Sequence, residues 1–472
     1  MKRNATRTIR IIIVILLPYF LPAWNQTPLR AEPPATSTFR VHPETTFQTI
    51  AGFGAGFNQS SHQHVNAIRK PEDRVRAYDL LYGDEGLRLN IVRLKISPNA
   101  QPVQQPDARH YDWAGDGHTQ STWKAIEPVL KRTKPVIYAV PFTPPVRWKT
   151  NGQAGHGGSL KREHYREYAE YLVDFLDYHH KVLGVEVDVL SLQNEPGIAA
   201  PWDSCIWTGA ELRDFLKIIA PLVHAHGLKT RLMLSEGTAW TGAWDHLLPT
   251  LQDAAARGLL DIMASHSYGA ADDKARRLFA AASARNGKPV WMSEISLMFP
   301  PAPDNPSMGA AIQVARYIHR DLVEARASAW IYCFAVFTSK FPGSMGVLSP
   351  ADCQGPLHGE LVVPKRFWAM ANYSRFVRPG WKLIEIDGIG YANTGFVDPK
   401  GDGFVIVALN PSATPQPTVY DFGQKTIGNV EAFATTADLD LARTPAPETS
   451  PHRFSVTLLP RSVTTFAGTL GR

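Results

Sequence analysis

Strand-like and helix-like segments alternate along most of this 472-residue chain, and this alternation restricts the possible folds more than any other feature. Parallel strands need long crossover connections, so alternation of this kind is typical of a parallel α/β architecture. Eight such units over about 330 residues predict a (β/α)8 TIM barrel with enlarged loops. We expect its strands around residues 48–53, 91–95, 136–141, 188–193, 231–235, 262–266, 289–293 and 329–334.

Two of the segments between these strands show helical spacing clearly. Aromatic and aliphatic residues repeat every three or four positions over His164–His180 and again over Gly209–His226. A stripe of this width indicates an amphipathic helix that packs one face on a core. We place both helices on the outside of the predicted barrel, which we assign to residues 47–378.

The pattern changes after about residue 378. Short β-type runs separated by Gly, Pro, Asp and Asn predict a small antiparallel β-sandwich over residues 379–472. Residues 32–46 form a linker, and its strand-like part, Thr38–Val41, could join that sandwich. The runs within the predicted sandwich are Leu383–Ile386, Phe404–Leu409, Thr418–Phe422, Phe454–Leu458 and Val463–Ala467.

The first 31 residues have the composition of a targeting segment. Four basic residues precede an apolar run, Ile11–Leu21, which Pro18 interrupts. A basic start followed by a short apolar run predicts a signal peptide over residues 1–31, and hence a secreted or periplasmic protein. The alternative is an uncleaved membrane anchor; after removal of the signal we expect no stable membrane association.

Charge argues against a nucleic-acid partner. The whole chain carries 49 basic and 43 acidic residues, a net charge of +6. Residues 1–31 contain five of the basic residues and none of the acidic ones, so the mature chain would keep 44 against 43, or +1. A nearly neutral surface does not favour binding to a phosphate backbone.

Three cysteines leave at least one thiol unpaired in an exported chain. Cys333 lies within an apolar strand-like run and fits a core position. A bridge between Cys205 and Cys353 is possible if their two loops share one face of the barrel, and the sequence leaves this open.

The chemistry should lie where the strands end, because TIM barrels place their active sites at the C-terminal ends of the strands. Two glutamates stand out: Glu195 follows the fourth predicted strand within Asn194-Glu-Pro, and Glu294 ends the seventh. Other polar residues end neighbouring strands; these are Arg93, Glu236, His266 and Tyr268. We interpret Glu236 as a structural hydrogen-bonding group.

Two carboxyl groups facing each other across a barrel suit the hydrolysis of a glycosidic bond. A retaining glycosidase needs a protonated carboxyl and an ionised one about 5 Å apart. The first protonates the leaving oxygen, and the second attacks the anomeric carbon. Asn194 could hydrogen-bond a sugar hydroxyl, and Arg93 could keep the nucleophile ionised through its opposite charge.

Five segments in this order resemble glycoside hydrolase family 30. They are Ala51-Gly-Phe-Gly-Ala-Gly-Phe57, Ser191-Leu-Gln-Asn-Glu-Pro196, Ser204-Cys-Ile-Trp-Thr208, Trp291-Met-Ser-Glu294 and Asn372-Tyr-Ser-Arg-Phe-Val-Arg-Pro379. The resemblance implies a (β/α)8 barrel with a β-domain. It makes Glu195 the acid/base and Glu294 the nucleophile, with Arg93 and Asn194 in support. By the same resemblance, His266 and Tyr268 line the subsite of the cleaved sugar.

One segment departs from the family pattern. Where the family often has an aromatic residue two positions after a Pro-Pro pair, this chain has Arg147, and the aromatic residue follows as Trp148. We predict that Trp148 is a platform for a sugar ring. The alternative is that Arg147 contacts an anionic or different substrate.

These observations predict a secreted retaining β-glycosidase, resembling an endo-β-1,4-xylanase. The alternatives are a β-1,6-glucanase, an exo-acting glucosylceramidase or β-xylosidase, and, from another class, a sugar-binding protein without catalysis. We expect a polysaccharide or glycoside substrate, a monomer, no cofactor and no metal. The histidine pairs His62/His64 and His179/His180 lack a complementary set of metal ligands.

Overall fold

A closed barrel of parallel strands and a curled β-sheet make up the fold. The computed structural model describes residues 36–103, 110–269, 272–297, 308–337, 349–350, 359–388, 390 and 392–471. Its strands are β1 Ser37–Thr49, β2 Gly52–Phe57, β3 Ile91–Ile96, β4 Pro102–Val103, β5 His110–Tyr111, β6 Val136–Pro141, β7 Val189–Ser191, β8 Arg231–Gly237, β9 Ile262–His266, β10 Val290–Ile295, β11 Ala327–Tyr332, β12 Ser349–Pro350, β13 Leu361–Val362, β14 Lys382–Asp387, β15 Asn393–Val397, β16 Gly403–Asn410, β17 Gln416–Asp421, β18 Ile427–Thr435, β19 Ala442–Thr444, β20 Glu448–Ser450, β21 Arg453–Leu458 and β22 Ser462–Leu470.

Helices connect most of the barrel strands. They are α1 Ser61–Asn66, α2 Pro71–Tyr82, α3 Gly117–Leu130, α4 Tyr165–Lys181, α5 Gly209–Ala225, α6 Trp240–Gln252, α7 Ala254–Leu259, α8 Asp273–Asn286, α9 Met308–Glu324 and α10 Lys365–Ser374, with 3₁₀ turns at Val146–Trp148 and Arg162–His164. The two amphipathic helices expected from the sequence correspond to α4 and α5. None of the helices in the described part of the chain is long and apolar enough to cross a membrane.

The barrel closes through eight parallel strands within the described residues. Their order around the barrel is β10-β11-β2-β3-β6-β7-β8-β9, which follows the order along the chain. The predicted TIM barrel is therefore confirmed. Alternate residues of each strand point inward or outward. On β3, Ile91 belongs to the inner core, whereas Val92 and Leu94 pack with the outer core against the helices.

The first barrel strand begins four residues later than the sequence analysis placed it. The preceding strand β1 runs to Thr49, and β2 starts at Gly52, whose φ of +138° bends the chain between them. A side chain at this position would collide with that of Asn90, at 1.9 Å. Asn90 in turn accepts a hydrogen bond from Phe53 N and donates one to Ala51 O. The tight bend therefore requires glycine.

The remaining described strands outside the barrel form mainly one sheet, in the order β19-β18-β22-β16-β15-β14-β1-β17-β21-β20. Its halves curl around a separate core in which Phe404, Tyr420, Phe454 and Phe466 have their rings in contact. This is the predicted sandwich, and β1 joins it as the sequence suggested. The pairing of β1 with β17 is parallel, so the sheet is mixed rather than wholly antiparallel.

Candidate active site

Glu195 and Glu294 meet at the C-terminal end of the barrel. Glu294 is the fifth residue of β10, and Glu195 lies four residues beyond β7. An oxygen of one carboxylate lies within 4.8 Å of an oxygen of the other. Each residue is 8% exposed, so both carboxylates are largely shielded from solvent. The structure thus brings together the two side chains singled out from the sequence.

The residues between the end of β7 and Glu195 still form backbone hydrogen bonds to the neighbouring strands, although they lie outside β7 itself. Asn194 N donates to Pro141 O at 2.9 Å, and Glu195 N donates to Glu236 O at 3.0 Å. The side-chain amide of Gln193 donates to Phe142 O and accepts from Trp207 Nε1. Glu195 itself has a φ of +45°, a left-handed conformation that is strained for a residue with a side chain. Its neighbours therefore hold the side chain in one direction.

Arg93 links strands β3, β7 and β10 at the floor of the site. Its Nη2 lies 2.8 Å from Glu294 Oε2 and 2.6 Å from Asn194 Oδ1. Burial disfavours the charged guanidinium, but Tyr138, Glu294 and Glu236 favour it more, so the pKa of Arg93 is raised well above its usual value. Arg93 and Asn194 therefore lie where the sequence analysis placed them, beside the two glutamates.

His266 and Tyr268 approach the glutamates from β9. His266 Nδ1 lies 3.1 Å from Glu195 Oε1 and 3.9 Å from Glu294 Oε1. The Tyr268 hydroxyl donates to Glu294 Oε1 at 2.7 Å. Burial of His266 disfavours its charge, but the charge of Glu294 and the contacts with Glu195 and Glu236 outweigh burial and raise its pKa to about 9. His266 is thus an imidazolium near neutral pH.

Two further polar residues belong to the site: Glu236, which the sequence analysis interpreted as a structural hydrogen-bonding group, and Tyr138, which it did not single out. Glu236, at the end of β8, is fully buried, and its Oε1 accepts a hydrogen bond from the Tyr138 hydroxyl. Tyr138 stands opposite Arg93 in the β3–β6 register, and their side chains also contact. Glu236 was visible as a polar strand end, whereas Tyr138 looks like a core residue until the cross-strand register is known.

Trp148 lies mostly within the core rather than at the surface. It is 7% exposed, and its ring contacts Tyr168 and Tyr171 of α4. The exposed Arg147 stacks over it, with the guanidinium carbon 4.5 Å from the ring centre. The role of Trp148 as a sugar platform stays a prediction, and Arg147 is the more accessible group of the two.

A further basic residue, Lys95, lies one inward-facing position beyond Arg93 on β3. Lys95 Nζ is 2.5 Å from Asp203 Oδ2 and 4.9 Å from the centre of the Phe142 ring. Arg93 contacts the same ring. Sequence reasoning missed this ion pair because Asp203 lies in the loop after Glu195. Local spacing does not show which residue a loop carboxylate will contact.

A metal ion fits the site poorly. The ligating atoms of Glu195, His266 and Glu294 lie within 4.8 Å of one another, a spacing that a divalent cation could bridge. Two cations are already present, however: Arg93 pairs with Glu294, and the pKa of His266, raised to about 9, favours the imidazolium. An imidazolium has no free lone pair for a metal, which binds neutral histidine.

Two of the three cysteines lie among the described residues. Cys205 and Cys333 are buried and carry free thiols. Burial raises the pKa of Cys205 to about 12, so the thiol stays protonated and unreactive at neutral pH. Cys353, the other member of the pair considered from the sequence, lies outside the described residues.

Comparison with known proteins gives a consistent result. The family model described as O-Glycosyl hydrolase family 30 matches residues 107–345. Glucuronoxylanase XynC of Bacillus subtilis strain 168 is 26% identical over 96% of this chain and 97% of its own length. Lysosomal acid glucosylceramidase of Mus musculus is 25% identical over 48% of this chain and 47% of its own.

Solved structures show the same fold. The glycoside hydrolase family 30 subfamily 8 xylanase Xyn30A from Clostridium acetobutylicum superimposes with a TM-score of 0.72 at 24% identity, covering 92% of this chain and 99% of the xylanase chain. At that identity the superposition speaks for the fold alone. Because the family model spans half of the sequence, the chain belongs to O-glycosyl hydrolase family 30 and is a glycoside hydrolase.

Proposed function

We propose that this protein is a secreted retaining β-glycosidase that cleaves β-1,4-xylan within the chain by double displacement. The observation that carries the mechanism is the approach of Glu195 and Glu294, whose nearest oxygens lie within 4.8 Å. Retaining enzymes hold their carboxyl groups about 5 Å apart, whereas inverting enzymes leave roughly 6.5–9.5 Å for a water molecule. An approach this close supports the retaining class over the inverting one.

The surroundings of each carboxylate support a division of roles. Glu294 receives Arg93 and the Tyr268 hydroxyl, which stabilise an anion, so we assign it as the nucleophile. One of its oxygens attacks the anomeric carbon, and the bond to the leaving oxygen breaks. Glu195 gives its proton to that oxygen. In the second step water attacks the same carbon, Glu195 takes the proton, and Glu294 leaves as a carboxylate.

Xylan is the preferred substrate because a relative named for it aligns over nearly the full length of both chains. The resemblance to glucosylceramidase covers about half of each chain, so we rank glucosylceramide and small β-glycosides lower. β-1,6-Glucan remains an alternative polymer. The exposed Arg147, in the 3₁₀ turn Val146–Trp148 after β6, would suit a xylan with acidic substituents.

Secretion to the medium or periplasm is part of the proposal. It rests on the basic and apolar pattern of residues 1–31, which lie outside the described part of the chain. N-terminal sequencing of the protein recovered from culture medium and periplasm tests this point. Recovery of the intact N-terminus in a membrane fraction would favour the uncleaved anchor instead.

Reducing-sugar release from purified glucuronoxylan, arabinoxylan, β-1,6-glucan and β-1,3-glucan tests the substrate, with Glu294→Gln as the inactive control. Proton NMR of the first product formed tests the mechanism, since retention gives the β-anomer before mutarotation. We expect xylan oligosaccharides of β configuration. Release of the α-anomer would exclude double displacement. Binding of a polymer without cleavage would favour the sugar-binding alternative.

A further inference from the structure

Glu236 is a third carboxylate in the site, and the roles assigned to Glu195 and Glu294 leave it unused. Its side chain is fully buried, and its φ of +52° is left-handed. A buried charge and a strained backbone are both costly, and such features persist where the surroundings compensate for them. The groups that stabilise this buried, strained residue therefore indicate its role.

Glu236 contacts Arg93, His266 and one of the two glutamates. Its Oε1 lies 3.9 Å from Arg93 Nη2 and 3.5 Å from His266 Nε2. The same oxygen accepts the Tyr138 hydroxyl. Its backbone carbonyl accepts the hydrogen bond of Glu195 N at 3.0 Å. One residue therefore touches Arg93, which pairs with Glu294, and His266, which contacts Glu195.

The electrostatics agree with this geometry. Burial alone would raise the pKa of Glu236, but the contact with His266 and the charge of Arg93 lower it to about 2, so it is an anion at every working pH. With Arg93 and His266 as cations and all three glutamates ionised, the cluster carries one negative charge. Protonation of one glutamate makes it neutral, and this is the state that the first step of a retaining mechanism requires.

We propose that Glu236 is a positioning residue that neutralises Arg93 and His266 and holds them in place, so that Glu294 remains an anion while Glu195 exchanges its proton. This role rests on the proposed function. Glu236 touches no reacting atom and acts through its two cationic neighbours. Its removal should therefore alter protonation within the site rather than the affinity for the substrate.

Nitrogen-15 NMR of histidine tests the electrostatic part without any substrate. The His266 signals are assigned by their loss in His266→Gln. In the unaltered protein His266 should titrate near pH 9, and in Glu236→Gln its pKa should fall by about one pH unit or more. A titration near pH 6.5 in the unaltered protein, or the same pKa in Glu236→Gln, would overturn the proposal.

Kinetics on xylan test the functional part. For Glu236→Gln we expect kcat to fall about 10–1,000-fold, KM to change little, and the alkaline limb of the pH–rate profile to move to lower pH. Removal of one anion makes loss of a proton from its neighbours easier. Glu236→Asp keeps the negative charge, so the alkaline limb of its pH–rate profile should lie at the same pH as in the wild type. A loss of kcat with an unchanged pH profile in Glu236→Gln would mean a merely structural role.

The matched control is Asp116→Asn, which removes another buried carboxylate, the N-cap of α3. It should lower thermal stability without moving the pH profile. If the unaltered protein cleaves no glycan, the proposed function fails, while the NMR titration still decides the role of Glu236. If Glu236→Gln does not fold, the titration of the unaltered protein decides it: His266 should titrate near pH 9, and a titration near pH 6.5 would overturn the proposal.

Discussion

At the residue scale, the two candidate catalytic glutamates differ in their partners more than in their burial. Glu294 is held by a guanidinium and a phenol, whereas Glu195 faces an imidazolium and sits on a strained backbone. In the proposed mechanism the two carboxylates have different tasks, and each task predicts a different response to substitution.

Replacement of the proposed nucleophile should abolish turnover. Glu294→Gln removes the attacking anion, and we expect kcat on xylan to fall by about 10³-fold or more while the fold persists. Glu186→Gln, at an exposed glutamate, is the control. Circular dichroism and the melting temperature establish folding. Retention of a tenth of the wild-type kcat by Glu294→Gln would remove it from the nucleophile role.

Replacement of the proposed acid should depend on the leaving group. Glu195→Gln should lose about 10²–10⁴-fold on xylan, because the departing sugar hydroxyl needs a proton. An aryl β-xyloside with an acidic phenol needs little protonation, so formation of the glycosyl-enzyme from it should be affected less. Pre-steady-state release of the phenol measures this step. Equal losses on both substrates would show that Glu195 is not the acid.

His266 should make stability depend on pH. Its pKa is raised to about 9 in the folded protein from an ordinary 6.5, so its contribution is complete below pH 6.5 and disappears as pH rises through 9. The free energy of unfolding should fall by roughly 3 kcal/mol across this window. Urea denaturation of the wild type and of His266→Gln between pH 6 and 10 measures the difference. If the free energy of unfolding depends on pH in the same way in both proteins, the raised pKa of His266 does not contribute to stability.

Much of the site could be predicted because strand ends of a barrel converge. This convergence singled out Arg93, Asn194, His266 and Tyr268. Arg93 and Tyr268 contact Glu294, and His266 contacts Glu195. Asn194 contacts Arg93. Tyr138 could not be found because a tyrosine in an apolar strand reads as core. Its role depends on the register that places it opposite Arg93.

At the element scale, local signals located helices more accurately than strands. Thr208 and Glu211 form a reciprocal capping box that starts α5 where the helical spacing began. Strands β15 and β18 were missed, because glycine and asparagine interrupt their apolar alternation: Gly395 lies in β15, and Gly428 and Asn429 lie in β18. Their pairing with β16 and β22 supplies the stability that their own sequences lack.

The capping box of α5 gives a prediction about stability. Thr208→Ala removes the oxygen that accepts from Glu211 N, and we expect the free energy of unfolding to fall by about 1 kcal/mol. Thr133→Ala, beyond the C-terminal end of α3, is the control and should change little. Chemical denaturation measures both. An equal effect of the two substitutions would mean that the cap does not stabilise α5.

At the scale of the whole molecule, the barrel and the curled sheet meet at α10. The fully buried Asn372 donates from its amide to Thr435 of β18, and its Oδ1 accepts from the Thr465 hydroxyl of β22, both at 2.8 Å. This residue belongs to one of the segments that resembled the family, but the sequence did not reveal its purpose. The contact depends on strands more than 60 residues away along the chain.

Loss of this contact should weaken the whole protein rather than its catalysis. Asn372→Ala removes two buried side-chain hydrogen bonds between α10 and the sheet, so we expect a loss of about 1–3 kcal/mol in the free energy of unfolding. The kcat at temperatures well below the melting point should stay near that of the wild type. Asn286→Ala, at the C-terminal end of α8, is the control. Unchanged stability of Asn372→Ala would show that the interface at α10 tolerates its loss.

The position of β1 has a consequence for how the chain can be made. Ser37 pairs with Thr418 of β17, 381 residues later, and Val41 pairs with Ile386 of β14. A ribosome or an export channel that delivers the chain from its N-terminus releases β1 long before either neighbour exists. The earliest strand must therefore wait, exposed, while the entire barrel emerges, and the sheet is completed last. Truncation before β14 would thus leave β1, at the opposite end of the sequence, without either of its partner strands.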